Sequence, residues 1–344
     1  MSRIRVLVVE DSLVFRSLLV QNLNKDPEIE VVATAGDPYE ARDAILEYKP
    51  DVMTLDIELP RMNGIEFLRK LMPQYPMPVI VISSLSEKVF DALSAGAVDF
   101  VAKPQTADKQ QLEIFISHEL PSKIKIASVA KLNNLKVSMP APSVAVHDNL
   151  RKTVVAIGAS TGGTEAIAAV IKEFKPDIPG VVIVQHMPAG FTEMYASRLD
   201  AECQVRVKEA RTGDVVQPGQ VLLAPGGDMQ MHIVNAHGEY QILCKKEPKV
   251  NGHCPSVDVL FDSVANVAGK NAVGIILTGM GGDGAKGLLA MRKAGARTIG
   301  QDASTCVVYG MPKVAYEMGA VEYQEKLSDI AKRTYTILNK MKGD

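Results

Sequence analysis

Three residues with the side chains of acyl-transfer chemistry follow apolar runs in the C-terminal half of the sequence. The run 154–157 enters Gly158-Ala159-Ser160-Thr161-Gly162-Gly163 and then a helical pattern. This G-x-S-x-G spacing permits the sharp strand-to-helix turn that exposes a serine hydroxyl at a sheet edge. Backbone N–H groups and a helix start beside it suit a developing oxyanion. A hydroxyl is a weak nucleophile and needs a base. The run 181–184 leads into Gln185-His186-Met187-Pro188, and the run 273–277 into Thr278-Gly279-Met280-Gly281-Gly282-Asp283-Gly284. His186 can take the proton of Ser160, and Asp283 can orient the imidazole and balance its charge. Each residue has a plainer reading alone: a packing or phosphate-binding turn, a hydrogen-bonded core histidine, a helix N-cap. Their joint placement on three strand ends favours the triad.

The N-terminal half carries a different set. Apolar runs there end in Glu10-Asp11, in Asp56, in Ser83-Ser84 and in Lys103-Pro104. Carboxylates converging on one sheet edge repel one another and call for a hard, oxygen-seeking cation such as Mg²⁺. A lysine and a hydroxyl beside them suit a transferred phosphoryl group, which an aspartate can accept. The alternative for any one of them is helix capping or solvation.

Both sets need the same scaffold. Runs at 4–9, 31–35, 52–55, 79–82 and 100–102 alternate with helical patterns, which predicts a doubly wound parallel sheet with ligands at the carboxyl ends of its strands. A helical pattern from Leu112 to Ile124 contains Pro121, which predicts a split with a restart near Glu119. Residues 135–150 (LKVSMPAPSVAVHDNL) read as a linker. A second α/β pattern has strands at 154–157, 181–184, 221–224, 240–244, 273–277 and 297–300, and helices at 163–174, 256–268 and 284–294. Its Gly- and Pro-rich span 205–250 predicts antiparallel hairpins. The expected fold is α/β, two doubly wound, mainly parallel three-layer domains: 1–134, a linker at 135–150, and 151–344.

Composition narrows the function. A net charge of −2 and no basic run argue against a nucleic-acid binder. The four cysteines form no C-x-x-C pair, which excludes the common zinc patterns and fits reduced thiols in a cytoplasmic protein. No segment is long and apolar enough to enter a membrane. There is no Walker loop, the glycines do not fit a dinucleotide fingerprint, and the order Ser–His–Asp differs from that of α/β-hydrolases.

Residues 1–134 resemble a response-regulator receiver domain, which implies a flavodoxin-like fold. The resemblance implies Asp56 as phospho-acceptor, Mg²⁺ held by Glu10, Asp11, Asp56 and the carbonyl of Glu58, and Ser83, Phe100 and Lys103 as the switch residues. Glu10 stands where the family has Asp, and the segment from Ser83 to Lys103 is short. The rest resembles chemotaxis protein-glutamate methylesterases through the triad motifs, Met187-Pro188-Ala189-Gly190-Phe191-Thr192, Leu223-Ala224-Pro225-Gly226, Pro255-Ser256-Val257-Asp258 and Val308-Tyr309-Gly310-Met311-Pro312. It implies Ser160 as nucleophile, His186 as base, Asp283 as acid, the Met280 N–H as an oxyanion donor, and no cofactor in this domain. Cys254 stands where the family has Arg. The implied substrates are glutamate methyl esters and glutamines of methyl-accepting chemotaxis receptors. The implied phosphoryl donor is a histidine kinase, with the receiver covering the Ser160 face until Asp56 is phosphorylated. Two rivals keep part of this: the same chemistry on non-chemotactic receptors, or a phosphorylation-switched binding module without catalysis.

Overall fold

The computed structural model describes residues 3–84, 87–104, 109–132 and 152–341. They fall into two compact units divided between residues 132 and 133. The linker expected at 135–150 lies outside the described residues.

The first unit runs β1 (Ile4–Val9), α1 (Leu13–Leu23), β2 (Ile29–Ala35), α2 (Pro38–Tyr48), β3 (Val52–Asp56), α3 (Gly64–Leu71), β4 (Val79–Ser83), α4 (Lys88–Ser94), β5 (Asp99–Ala102), α5 (Lys109–Ile114) and α6 (Leu120–Ser128). The sheet order is β2-β1-β3-β4-β5, every pair parallel. Strands β3 and β4 are buried throughout, as expected where helices cover both faces. Helix starts follow their caps: Asp37 Oδ1 accepts from the N–H groups of Tyr39 and Glu40, and Asn63 Oδ1 from that of Glu66. The last helical stretch restarts near Glu119, as Pro121 predicts, although without a break in the helical path. A π-helical segment, Phe115–Glu119, joins α5 to α6, and Pro121 sits in the first turn of α6, where a missing N–H costs least.

The second unit runs β6 (Val154–Ala159), α7 (Gly163–Ile171), β7 (Gly180–Gln185), α8 (Phe191–Glu202), β8 (Arg206–Glu209), β9 (Gln220–Leu223), β10 (Met229–Ala236), β11 (Glu239–Lys246), α9 (Val257–Ala268), β12 (Ala272–Ile276), α10 (Ala285–Lys293), β13 (Arg297–Gln301), α11 (Met311–Glu317), β14 (Tyr323–Glu325) and α12 (Leu327–Lys340). Seven strands form one parallel sheet, β14-β13-β12-β6-β7-β9-β8. The 205–250 span is only partly hairpin: β10 and β11 pair antiparallel, whereas β8 and β9 pair parallel and extend the main sheet.

Alternate strand residues face opposite layers. Val154, Ala156, Val182, Val184 and Leu222 pack with Leu260, Phe261 and Val264 of α9, Leu288 of α10, and Met231, Ile233 and Ile242 of the hairpin. Their neighbours Val155, Ile157, Val181 and Ile183 are equally buried. The helices of the other layer, α7 and α12, touch, and Tyr335 of α12 meets Phe174 edge-on.

Candidate active site

Strands β6, β7 and β12 are adjacent, so the loops leaving them share one sheet edge. Ser160 follows β6 directly. Its turn is built for small residues: Gly162 has φ +75°, and a Cβ on Gly163 would lie 2.1 Å from Gln185 Oε1. Gly279 does the same from the β12 loop, since its Cβ would fall 2.7 Å from that of Ser160. The backbone of Ser160 is pinned by its N–H on Thr278 O (3.0 Å) and by Gln185 Nε2 on its carbonyl (3.0 Å). The Ser160 N–H is therefore committed and cannot serve an oxyanion. The N–H of Met280 has no hydrogen-bond partner among the described residues.

His186 leaves β7 with its N–H on Ala159 O (3.2 Å), which sets its backbone beside the serine turn. Its Nε2 lies 2.8 Å from Asp283 Oδ2. An ionised carboxylate only accepts, so Nε2 carries the hydrogen and Nδ1 keeps the lone pair. Nδ1 is buried and has no hydrogen-bond partner among the described residues. The ring thus faces its acid through Nε2, the reverse of the chymotrypsin arrangement.

Asp283 is 2% exposed. Besides His186, it accepts from Asn251 Nδ2 (2.8 Å), Ser256 Oγ (2.7 Å), Val257 N–H (2.7 Å) and Asp258 N–H (3.3 Å). Burial alone would favour its neutral form, but the hydrogen bond from His186 and the donors from Asn251 and Ser256 outweigh it and hold the carboxyl well below its usual range. None of these donors comes from the helix after Gly284, so the side chain does not cap it. The supporting residues Asn251, Ser256 and Asp258 were not singled out as site residues from the sequence, although Asn251-Gly252 is the dipeptide of a tight turn. Cys254 supplies no positive charge; burial raises its thiol.

In the first unit Glu10, Asp11 and Asp56 bring carboxylate oxygens within 4.8 Å of one another. Glu10 and Asp56 are buried and Asp11 is exposed. Lys103 Nζ bridges Glu10 Oε2 (2.9 Å) and Asp56 Oδ2 (2.7 Å). Burial, with the Asp56 charge adding to it against Lys103, pushes Glu10 up to about 7. The Glu58 N–H donates to Asp56 Oδ1 (2.9 Å), so that loop wraps the acceptor. Ser83 ends the neighbouring strand, buried, and its carbonyl accepts from the Lys103 N–H (2.7 Å). Phe100 is turned inward, 5% exposed, with Lys123 Nζ 6.0 Å from its ring centre.

Comparison with known proteins gives both units relatives. Residues 155–334 match the family profile of the CheB methylesterase, and residues 6–115 that of the response regulator receiver domain. A protein-glutamate methylesterase/protein-glutamine glutaminase from Syntrophomonas wolfei is 61% identical over 98% of this chain and 99% of its own length. Its namesake from Syntrophotalea carbinolica is 52% identical over 98% of each. The catalytic domain of the Thermotoga maritima CheB methylesterase superposes with a TM-score of 0.52 at 38% identity, covering 53% of this chain and 96% of that one. With a receiver region preceding its hydrolase fold, the chain belongs to the CheB methylesterase family.

Proposed function

We propose that the chain is a cytoplasmic hydrolase of glutamate γ-methyl esters, and a deamidase of glutamines, on methyl-accepting chemotaxis receptors. Its names among close relatives support the activity. The observation that carries the residue assignment is the state of His186: one nitrogen bonded to a buried, ionised Asp283, the other buried and unpartnered at the edge that holds Ser160.

In this reading Nδ1 of His186 takes the Ser160 proton as Oγ bonds to the ester carbon. The carbonyl electrons move onto oxygen, where the Met280 N–H can donate. Collapse breaks the C–O bond to the methoxy group, which leaves as methanol with the proton from Nδ1. Water then adds by the same route, its proton passing through Nδ1 to Oγ, and releases glutamate. With a glutamine side chain the leaving group is ammonia. No helix among the described residues is long and apolar enough to cross a membrane, in keeping with action on the cytoplasmic part of a receptor.

The first unit acts as the switch. Asp56 accepts a phosphoryl group from a histidine kinase, and hydrolysis rises in response. The all-oxygen cluster of Glu10, Asp11 and Asp56, with too little positive charge to hold Glu10 at its ordinary pKa, fits Mg²⁺, which the carbonyl of Glu58 would help hold. Bound there, the ion balances the carboxylates and the incoming phosphoryl charge. Lys103 orients the Asp56 carboxylate, and Ser83 and Phe100 relay the change in charge. Methanol release from methylated receptor, measured for wild type and Ser160→Ala, tests the catalytic assignment: the variant loses release, and retained release would refute it.

A further inference from the structure

We propose that His253 is a positioning residue for the base, its ring stacked flat on the imidazole of His186 so that the ring plane stays fixed. The inference rests on the reading of Ser160, His186 and Asp283 as a triad. The two rings lie with centroids 3.7 Å apart and planes 11° apart. Aromatic pairs left to themselves favour offset or edge-on arrangements at larger separations. So close a face-to-face approach is imposed by the backbone that carries His253.

That backbone is tightly held. Val250 and His253 exchange both N–H···O bonds (3.0 and 2.9 Å) around Asn251-Gly252, whose φ values are +52° and +84°. Two positive φ values in sequence make a type I′ turn, the geometry Asn-Gly favours. Gln230, fully buried, donates Nε2 to the His253 carbonyl (3.3 Å) and accepts from the Ser256 N–H (2.7 Å) through Oε1. The same turn aims the Asn251 amide at Asp283. One short segment therefore grips both members of the acid–base pair, Asn251 the carboxylate and His253 the ring.

The stack supplies what the hydrogen bond cannot. The bond from Nε2 to Asp283 fixes one atom of the ring, and the last side-chain torsion of histidine is broad. A ring held at one point can tilt and carry Nδ1 away from Ser160. A flat wall against its face removes that freedom. It also gives the imidazolium, formed as Ser160 attacks, an aromatic face to lie against.

The test measures kcat and KM for methanol release from methylated receptor by the full chain, with Ser160 labelling by a fluorophosphonate alongside. His253→Ala and His253→Gln are expected to lower kcat by about tenfold with KM unchanged, and to slow labelling in parallel. His253→Phe restores the flat face and is expected to recover most of the rate. Wild-type kcat in His253→Ala and His253→Gln would overturn the proposal. So would a Phe variant as slow as the Ala variant, or an effect confined to KM. Thermal melting shows which variants fold; should the Ala variant not, the Gln and Phe pair decides. Activity retained in Ser160→Ala would instead refute the triad itself, which separates the two failures.

Discussion

Each half of the molecule gathers buried carboxylates at the carboxyl edge of a parallel sheet, and the two halves treat them oppositely. Asp283 has five donors around it and is held ionised. Glu10 shares one lysine with Asp56 and is pushed up to about 7. The first carboxylate is preorganised: its charge is fully satisfied by the fold before any substrate arrives. The second is left short of positive charge, as suits a site completed by a cation and a phosphoryl group. Preorganised charge serves catalysis, because nothing need reorganise during the reaction. Unbalanced charge serves switching, because a small change in ligation shifts the local balance.

Removing the charge at Asp283 tests one side of this contrast and has the largest expected effect. Asp283→Asn should lower kcat by about 10⁴-fold, because an amide can place the wrong hydrogen against the ring. Methanol release at saturating substrate checks this. On the other side, Asp56→Asn should abolish the rise in hydrolysis produced by a small phosphodonor such as acetyl phosphate. A variant that still responds would move the acceptor elsewhere.

Smaller changes sharpen the contrast. Asn251→Gly removes one donor from Asp283 while keeping the positive φ at no steric cost. Loss of a hydrogen bond to a charged group, about 1.5 kcal/mol, predicts a fall in kcat of about tenfold. Glu10→Gln should do the reverse of a usual core substitution. It relieves like charge and should raise the stability of the Mg²⁺-free protein by about 1 kcal/mol at pH 8, while weakening Mg²⁺ binding. Thermal melting with and without Mg²⁺ reads both effects.

The pH dependence follows from the depressed carboxyl. A folded pKa below the unfolded one adds stability that is complete above the unfolded value and is lost as pH falls through the folded one. For Asp283 the loss begins below its ordinary value of 3.8. Acid melts of wild type and Asp283→Asn should converge in that range.

Strands β1, β3, β4 and β5 of the first unit and the three central strands of the second were legible because each is a mainly apolar run leading into a chemically distinctive residue. The edges were not. Strand β8, Arg-Val-Lys-Glu, buries only Val207 fully, and β14 is three residues long. Edge strands bury less and so lack the apolar signal that marks the centre. The expectation of antiparallel hairpins within 205–250 holds for β10 and β11; Gly and Pro marked the turns, but not that β8 and β9 run parallel. Helix α12 shows a helical stripe of Leu327, Ile330, Ala331, Thr334, Tyr335 and Leu338, yet it and α8 and α11 carry no chemistry that would draw attention. Within the site, Ser160, His186 and Asp283 were visible as strand-end residues. The roles of Asn251, His253 and Ser256 were not, since each reaches the triad across 27 to 67 residues of sequence, and no local period records such contacts.

The contrast depends most on the second unit being a working serine hydrolase. Exposure of the full chain to a fluorophosphonate, followed by peptide mapping, tests that directly. One adduct is expected, on Ser160, and its formation should slow severely in His186→Ala and Asp283→Asn. Labelling on another residue, or at an undiminished rate in those two variants, would contradict the account.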